Sequence, residues 1–366
     1  MKPVTQQEPT NLKEFSLATV AVKATALAIA FVVGSLLVLA LVAAAFGYRY
    51  LQKIGNASNH SPQDLIQIAK TAAAVAPREN NPVFLILGTD SLTTRGDIPP
   101  LTDTMLLASL DLKTGTLHLL PLPRDIWNEA YKTKINALLA YGIERYPEKP
   151  EQFPEEVIEE MIGIPIDYTV VVAMDTLADL VDTLGGVAVS VPTSFIDTEF
   201  PNPDVDITIE RDPKKLYKTV SFSKGTETMS GQRFLEFIRS RHSDSEEGND
   251  LARSQRQQIG FAALLQAATQ ESVVKQPTTI GKLFAFYESA YVTALPLNDI
   301  AAIAKAVVEN SVSSVTIDSR TLTVRPSVKD GVLLHPDAKK TNNIWLYQIT
   351  DEKLFREEVG QALNKL

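Results

Sequence analysis

Hydrophobic and polar positions divide the chain into one long apolar run and a larger region of short alternations. From residue 24 to residue 48 no formal charge occurs, and the run is apolar on every side of a helix, not along one stripe. A helix of roughly 20 residues crosses the hydrocarbon core of a bilayer, so this stretch predicts a transmembrane helix. Lys23 before it, and Tyr48, Arg49, Tyr50 and Lys53 after it, follow the pattern of interface anchors. A cleaved signal peptide is the rival reading, but the run is longer than a signal core and starts late. Residues 1–23 then form a tail, and residues 49–80, polar with an Ala-rich patch, a juxtamembrane spacer.

Beyond the spacer the pattern changes. Residues 83–88 (VFLILG) are a continuous apolar run suited to a central strand. Residues 104–110 and 116–122 are two more runs, joined by a polar connector containing Gly115, which predicts a hairpin. Ile135, Leu138 and Leu139 share a helical face, and a second helix is predicted over 154–162. Residues 168–173 read as another buried strand. Asp175 then stands where an N-cap belongs, Leu177, Leu180, Val181 and Leu184 repeat at helical spacing, and Gly185 and Gly186 end the helix before VAVSV.

Prolines and mixed charge predict a loop excursion over 197–224, and helices over 230–238 and 251–269 flank the polar SRHSDSEEGND. Residues 280–320 look helical, 322–334 suit edge strands, and 350–366 have the spacing of a surface helix. Strands alternating with helices predict an α/β fold: an αβα sandwich with a mixed central sheet, preceded by one N-terminal transmembrane helix. Residues 81–270 hold the recognisable pattern, and 271–366 complete the same globule.

Composition changes the picture mainly by exclusion. The 366 residues include no cysteine, which rules out disulfides, thiolate metal sites and cysteine nucleophiles. None of the four histidines pairs at a metal-ligand spacing, and neither a Gly-x-Ser-x-Gly elbow nor a Walker loop occurs. The formal charge of −9 is uneven: residues 1–53 carry five basic and two acidic side chains, so an acidic globule stands on a basic stem. Such a field disfavours nucleic acid as a partner. The three basic side chains before the apolar run, against two just after it, tip the orientation toward an inside N-terminus and a globule outside the cytoplasm.

What remains is acids and arginines at the ends of predicted elements. Asp90 follows the first strand, Asp103 precedes the second, and Arg124 and Asp125 close the hairpin behind Pro121 and Pro123. Ligands of open α/β sheets collect at such ends. A second group comprises Arg239, Arg241, Asp250, Arg253, Arg256 and Gln257, with Arg253 and Gln257 four apart on one helix face. A salt-laced solvated surface accounts for the balanced charge of this segment. Two details point beyond it: the basic residues are all arginine, whose planar fork matches phosphate oxygens, and the first group supplies carboxylates of the kind that hold magnesium beside a phosphate.

The runs ILGTDS (86–91), TDTMLLASLDLKTGTLHLLPLPRD (102–125), KINALLAYG (134–142) and GIPIDYTVVVAMDTLADLVDTLGGVAVSVP (163–192), with RSR and DLARSQRQQ, together resemble the LytR-CpsA-Psr family. The resemblance is collinear over roughly 82–270 and makes 81–270 the catalytic domain. It implies a phosphotransferase of the bacterial cell membrane, single-pass with its C-terminal domain extracytoplasmic. Such an enzyme moves a glycopolymer from a polyprenyl-pyrophosphate carrier to a peptidoglycan hydroxyl with Mg2+ or Mn2+.

By position, Asp90 and Asp103 resemble the metal-holding acids. Arg124, Arg239, Arg241, Arg253 and Gln257 resemble the residues that grip the pyrophosphate, with Asp103, Arg124 and Asp90 carrying the catalysis. Asp250, Lys134 and Asn136 fall in supporting positions. Many relatives place an arginine two residues before the acid matching Asp103; here that position is Leu101, and Arg95 is the candidate replacement. Two alternatives stand beside transfer: hydrolysis of the same lipid pyrophosphate, and a non-catalytic, membrane-tethered polyprenyl-phosphate binder of envelope assembly.

Overall fold

The computed structural model describes residues 17–89, 100–202, 205, 210–243, 245–248, 250–289, 292–293, 295–312 and 315–365. Asp90 and Arg95 lie outside the described residues, as does the side chain of Asp250. Two compact units are distinguished, Met1–Lys53 and Ile54–Leu366. The first is essentially helix α1, Leu17–Ser58, which runs on into the second and exposes Val32, Leu36, Leu39, Leu41 and Phe46. Among the described residues no helix is long and apolar enough to cross a membrane. The side chains of residues 24–31, the first third of the expected span, are not among those described.

The second unit opens with α2 (Pro62–Ala74), followed by β1 (Val83–Thr89), β2 (Thr102–Leu110), β3 (Thr116–Pro121), β4 (Trp127–Asn128) and β5 (Thr133–Lys134). Then come α3 (Leu138–Arg145), α4 (Gln152–Ile162), β6 (Tyr168–Ala173), α5 (Met174–Thr183), β7 (Val187–Val191) and β8 (Phe195–Pro201). Next are α6 (Pro213–Leu216), β9 (Tyr217–Phe222), β10 (Gly225–Met229), α7 (Gly231–Arg239), α8 (Asp250–Ala268), α9 (Glu271–Val274) and α10 (Pro277–Ser289). The chain closes with β11 (Val292–Thr293), α11 (Leu297–Glu309), β12 (Thr316–Ser319), β13 (Val324–Arg325), β14 (Leu333–Leu334), β15 (Gln348–Ile349) and α12 (Glu352–Ala362).

The central sheet has the order β11-β6-β1-β2-β3-β12 and is mixed: β1 pairs antiparallel with β2 and parallel with β6, and β12 runs parallel to β3. Alternation along β1 sorts its side chains between two layers. Val83, Leu85 and Leu87 join Leu107 and Leu120 in a core closed by Leu138, Phe153, Val157, Phe355 and Val359 of α3, α4 and α12. Phe84 and Ile86 face the opposite way, toward Phe261 and Leu265 of α8. Helices therefore cover both faces, as the sequence predicts. Gly115, at φ 71°, closes the β2–β3 connector in a conformation that side chains disfavour.

Five expectations are corrected. Asp175 does not cap α5: β6 passes straight into the helix, and Ala173 is the N-cap. Residues 197–224 are not merely a loop, because Phe195, Asp197 and Phe200 of β8 turn inward against Val220 and Phe222 of β9 in an antiparallel ribbon. The 280–320 stretch holds two strands as well as helices; β12 is a short, mostly exposed edge strand and carries no hydrophobic signal. The surface helix predicted at the C-terminus buries Phe355 and Val359 in the main core. Nor are residues 54–80 a bare spacer, since the Lys305 ammonium caps the end of α2 at the carbonyls of Ala73 and Val75, and Arg78 N–H donates to Ala302 O at 3.0 Å.

Candidate active site

The site starts from an irregularity in the sheet. Gly88 pairs with Thr104 and Thr89 with Thr102, so β2 carries one extra residue opposite that step, and the extra residue is Asp103. A bulge takes a side chain out of the strict alternation and re-aims it, which is why such irregularities recur beside active sites. Asp103 accepts an ion-paired hydrogen bond from Arg124 Nη1. Arg124 follows Pro123 just beyond β3; its Nε lies 3.5 Å from Asp125 Oδ2, and Asp125 Oδ1 accepts from Lys134 Nζ at 2.6 Å. Four charges thus form one chain, Asp103–Arg124–Asp125–Lys134, in which Asp125 is buried and its neighbours are about a quarter exposed. Asn136 contributes through its backbone, its N–H donating to Arg124 O at 3.2 Å and its carbonyl accepting from Thr102 Oγ1 at 3.1 Å.

Behind this charged end lies an apolar cavity of about 410 Å³ between the sheet face of Phe84, Ile86 and Leu106 and the helices carrying Leu177, Phe234 and Phe261. Gly88 is part of its wall, where a Cβ would meet Thr104 and Met174 at 2.9 to 3.1 Å. Polar lining is confined to a few residues, among them Thr104, Ser254 and Gln257. Asp103, Arg239 and Arg253 each adjoin a lining residue in sequence: Thr104, Ile238 and Ser254. Residues far apart in the chain therefore meet one cavity. Two hydroxyls at this end, Thr89 Oγ1 and Thr104 Oγ1, are buried without a hydrogen-bond partner among the described residues. A buried hydroxyl without a partner is costly, so these two mark a polar spot beside the strand ends that carry Asp103.

The second arginine group is divided. Arg239 ends α7 half-exposed, Arg241 is exposed, and Arg253 is buried on α8 one turn from Gln257. Arg256, by contrast, is fully buried and internal. It donates from Nε to Phe237 O at 3.1 Å and from Nη1 to Glu247 O and Oε2 at 3.0 and 2.8 Å, and from Nη2 to Ser240 O. Burial draws this guanidinium below its usual pKa, and the Glu247 carboxylate opposes that shift.

Asp197 of β8 is its counterpart. Burial resists its ionisation, but N–H groups of Arg241, His242 and Glu199 outweigh that and hold the carboxyl below the usual range. Arg256 grips the carbonyl of Ser240 and Asp197 the next two N–H groups, so the 239–242 turn is fixed from both sides. Asp125, named at the end of the hairpin, gives no sign in the sequence of its bond to Lys134, and Asp197 and the pairing of Arg256 with Glu247 escape sequence reasoning. Their partners are backbone atoms or distant residues, and only the unusual density of arginine in 233–256 signals them.

For a divalent ion, the described carboxylate at the cavity head is Asp103, and its expected companion Asp90 lies outside the described residues. No cluster of three or more acidic or histidine side chains suited to a metal occurs among the described residues. Magnesium needs only one or two protein carboxylates where substrate phosphate and water complete its shell. By its chemistry Asp103 suits a site of that type.

Comparison with known proteins finds relatives in sequence and in fold. A polyisoprenyl-teichoic acid–peptidoglycan teichoic acid transferase, TagU of Bacillus licheniformis, is 24% identical over 269 residues, covering 72% of each chain. The crystal structure of Bacillus subtilis TagV superposes with a TM-score of 0.54 at 22% identity, covering 79% of this chain and 99% of that one. A structure of TagT bound to LIIa-WTA superposes with a TM-score of 0.51 at 21% identity, covering 78% and 92%. The model of the LytR_cpsA_psr family matches residues 48–355, most of the length. The chain belongs to the LytR-CpsA-Psr family.

Proposed function

We propose that this protein transfers a glycopolymer from a polyprenyl-pyrophosphate carrier to a hydroxyl of peptidoglycan, at the outer face of a bacterial cell membrane to which one N-terminal helix anchors it. The observation that carries the reading is the cavity: a lipid-compatible interior lined by Gln257 and by Thr104, Ile238 and Ser254, the sequence neighbours of Asp103, Arg239 and Arg253. An isoprenoid chain needs apolar walls, and a diphosphate needs guanidinium forks at the mouth. The relatives' names, which specify polyisoprenyl-linked teichoic acid and peptidoglycan, support the same substrate classes. The anchor rests on the 24–48 run and its flanking charges, and a tethered enzyme meets a membrane-resident donor at raised effective concentration.

Chemically, the acceptor hydroxyl oxygen forms a bond to the sugar-linked phosphorus while the bond from that phosphorus to the bridging oxygen breaks, and the electron pair leaves with the lipid phosphate. Phosphoryl transfer asks the protein for positioning and charge neutralisation. The Arg124 fork, held by Asp125 on one side and Asp103 on the other, is placed to donate hydrogen bonds to phosphate oxygens. Arg239, Arg253 and Gln257 face the diphosphate from the helical side. A carboxylate, Asp103 or Asp90, whichever the metal does not fully occupy, takes the proton of the attacking hydroxyl. Mg2+ or Mn2+, when bound by Asp103 and Asp90, would neutralise charge on the departing phosphate.

The test is a reconstitution of the full-length chain with lipid-linked glycan and peptidoglycan. Glycan-bearing peptidoglycan and polyprenyl phosphate are the expected products, lost with EDTA and restored by Mg2+ or Mn2+. Release of free glycan phosphate at the same rate without acceptor would instead make the protein a hydrolase. Absence of any turnover, with polyprenyl lipid still bound, would make it a binder.

A further inference from the structure

The charged chain at the head of the cavity continues into a group of aromatic rings supplied by the C-terminal segment. Tyr347 N–H donates to Asp125 O at 2.9 Å, and Trp127 N–H donates to Tyr347 O at 2.8 Å, so the backbone beside Arg124 and the 345–347 segment form a short bridge. Trp127 in turn pairs across β4–β5 with Lys134. Two residues before Tyr347, the Trp345 indole lies against the His335 imidazole, ring centroids 3.6 Å apart. Tyr347 meets both edge-on, at 6.1 and 6.3 Å. His335 is fixed by its own hydrogen bond, Nδ1 to Leu346 O at 2.8 Å. Trp345 is nevertheless 53% exposed, and it follows a turn in which Asn342 and Asn343 adopt positive φ and are exposed.

A large aromatic side chain held rigid from behind while its body faces solvent has a ligand chemistry of its own. The C–H face of a pyranose ring is apolar and edged with partial positive charge, so it packs on the electron-rich face of an indole. The neighbouring asparagine amides suit its hydroxyls. Position adds the second reason: chain connectivity through Tyr347 and Asp125 keeps the Cα of Trp345 within roughly 16 Å of that of Arg124. A short oligosaccharide spans that distance. Resting on the transferase reading above, we propose that Trp345, backed by His335 and Tyr347, is a sugar-stacking subsite that orients a pyranose ring beside the Asp103–Arg124 head. The ring comes from the acceptor glycan strand or from the donor glycan next to its phosphate.

The chain contains two tryptophans, Trp127 and Trp345, and both flank this region, so intrinsic fluorescence reads it directly. Titrating the full-length chain with a β-1,4-linked N-acetylglucosamine oligomer as acceptor probe, and separately with the water-soluble donor glycan, should shift the emission for one of them. Trp345→Ala should abolish the shift, Trp127→Phe should retain it, and the melting temperature of each should stay near wild type.

In the transfer assay, Trp345→Ala should raise the KM for the same glycan roughly three- to tenfold at unchanged kcat, with Trp345→Phe recovering part of the loss. A rise confined to the acceptor KM identifies the acceptor strand, and one confined to the donor identifies the donor glycan. Unchanged emission with both probes, and unchanged KM values in the variant, overturns the subsite while leaving transfer intact. A fluorescence shift lost in Trp345→Ala, in a protein without transferase turnover, retains the sugar site and overturns the transferase reading instead.

Discussion

The two arginine groups of this protein use one side chain for opposite purposes. Around Arg124 the guanidinium sits a quarter exposed in a chain of alternating charges, against carboxylates that are themselves near solvent or held by Lys134. Around Arg256 the guanidinium is wholly enclosed, and most of its hydrogen bonds go to main-chain carbonyls. The first arrangement can exchange a partner for a phosphate oxygen; the second has none to spare. A fixed turn presents Arg239 and Arg241, so the buried arginine shapes backbone, while the exposed one, in the function proposed here, is the one that meets ligand.

Removing each arginine should separate these roles, and the largest effect falls on the buried one. Arg256→Ala leaves Glu247 and two carbonyls without their donor, and loss of one partner of a buried ion pair costs about 3–5 kcal/mol. Thermal unfolding should show a drop of that size, with activity lost through instability. Arg124→Ala should behave inversely, with transfer turnover falling by about 10²- to 10³-fold, as for other groups that meet charge developing in a transition state. Its melting temperature should move far less than that of Arg256→Ala. Equal destabilisation by both variants would erase the distinction.

The difference also marks what the sequence could and could not convey. The central strands and the β2–β3 hairpin are legible because a sheet covered on both faces reads as continuous apolar runs, and α5 with its terminal glycines, α7 and α8 because their apolar residues repeat on the buried face. Residues adjoining strand ends, such as Asp103 and Arg124, are legible for the same reason. The bulge that singles out Asp103 is not, since a single extra residue is a matter of register, invisible without the partner strand. Neither is Asp197, whose main-chain partners at Arg241 and His242 lie more than forty residues away, nor the bond from Lys134 to Asp125. The β8–β9 ribbon was hidden by its prolines, although its inward Phe195, Phe200, Val220 and Phe222 carry a readable alternation.

Asp197 offers a subtler probe of the buried side. Its carboxylate accepts the N–H groups of Arg241 and His242 on one oxygen, at 2.9 and 3.2 Å, and of Glu199 on the other at 3.0 Å, so an asparagine there, with one acceptor oxygen, would set its NH2 against at least one N–H donor. Asp197→Asn should cost about 1.5–3 kcal/mol. Because the folded pKa is depressed, the stabilisation is present above the ordinary aspartate range and is lost as pH falls through the lower folded value. Wild type should therefore lose its advantage over the variant on acidification below about pH 4, measured as converging chemical-denaturation midpoints.

The smallest expected change tests whether the exposed group depends on support at all. Lys134 Nζ holds Asp125 at 2.6 Å, and Asp125 in turn lies beside Arg124 Nε, so Lys134 is a positioning residue two steps from any ligand. In Lys134→Met the apolar stem is retained, but Asp125, still buried, is left with Arg124 as its cation and draws the guanidinium toward itself. The ion pair is about a quarter exposed on the lysine side, so stability should fall by only about 1 kcal/mol. The fork, pulled off its aim, should lose turnover by less than about tenfold while donor KM stays near wild type, because uniform binding is not what aiming supplies. Lys134→Arg, which keeps the charge, should recover most of the turnover. An unchanged kcat in Lys134→Met would show that Arg124 is aimed by Asp103 and the Pro123 turn alone, and would shorten the exposed group to those residues.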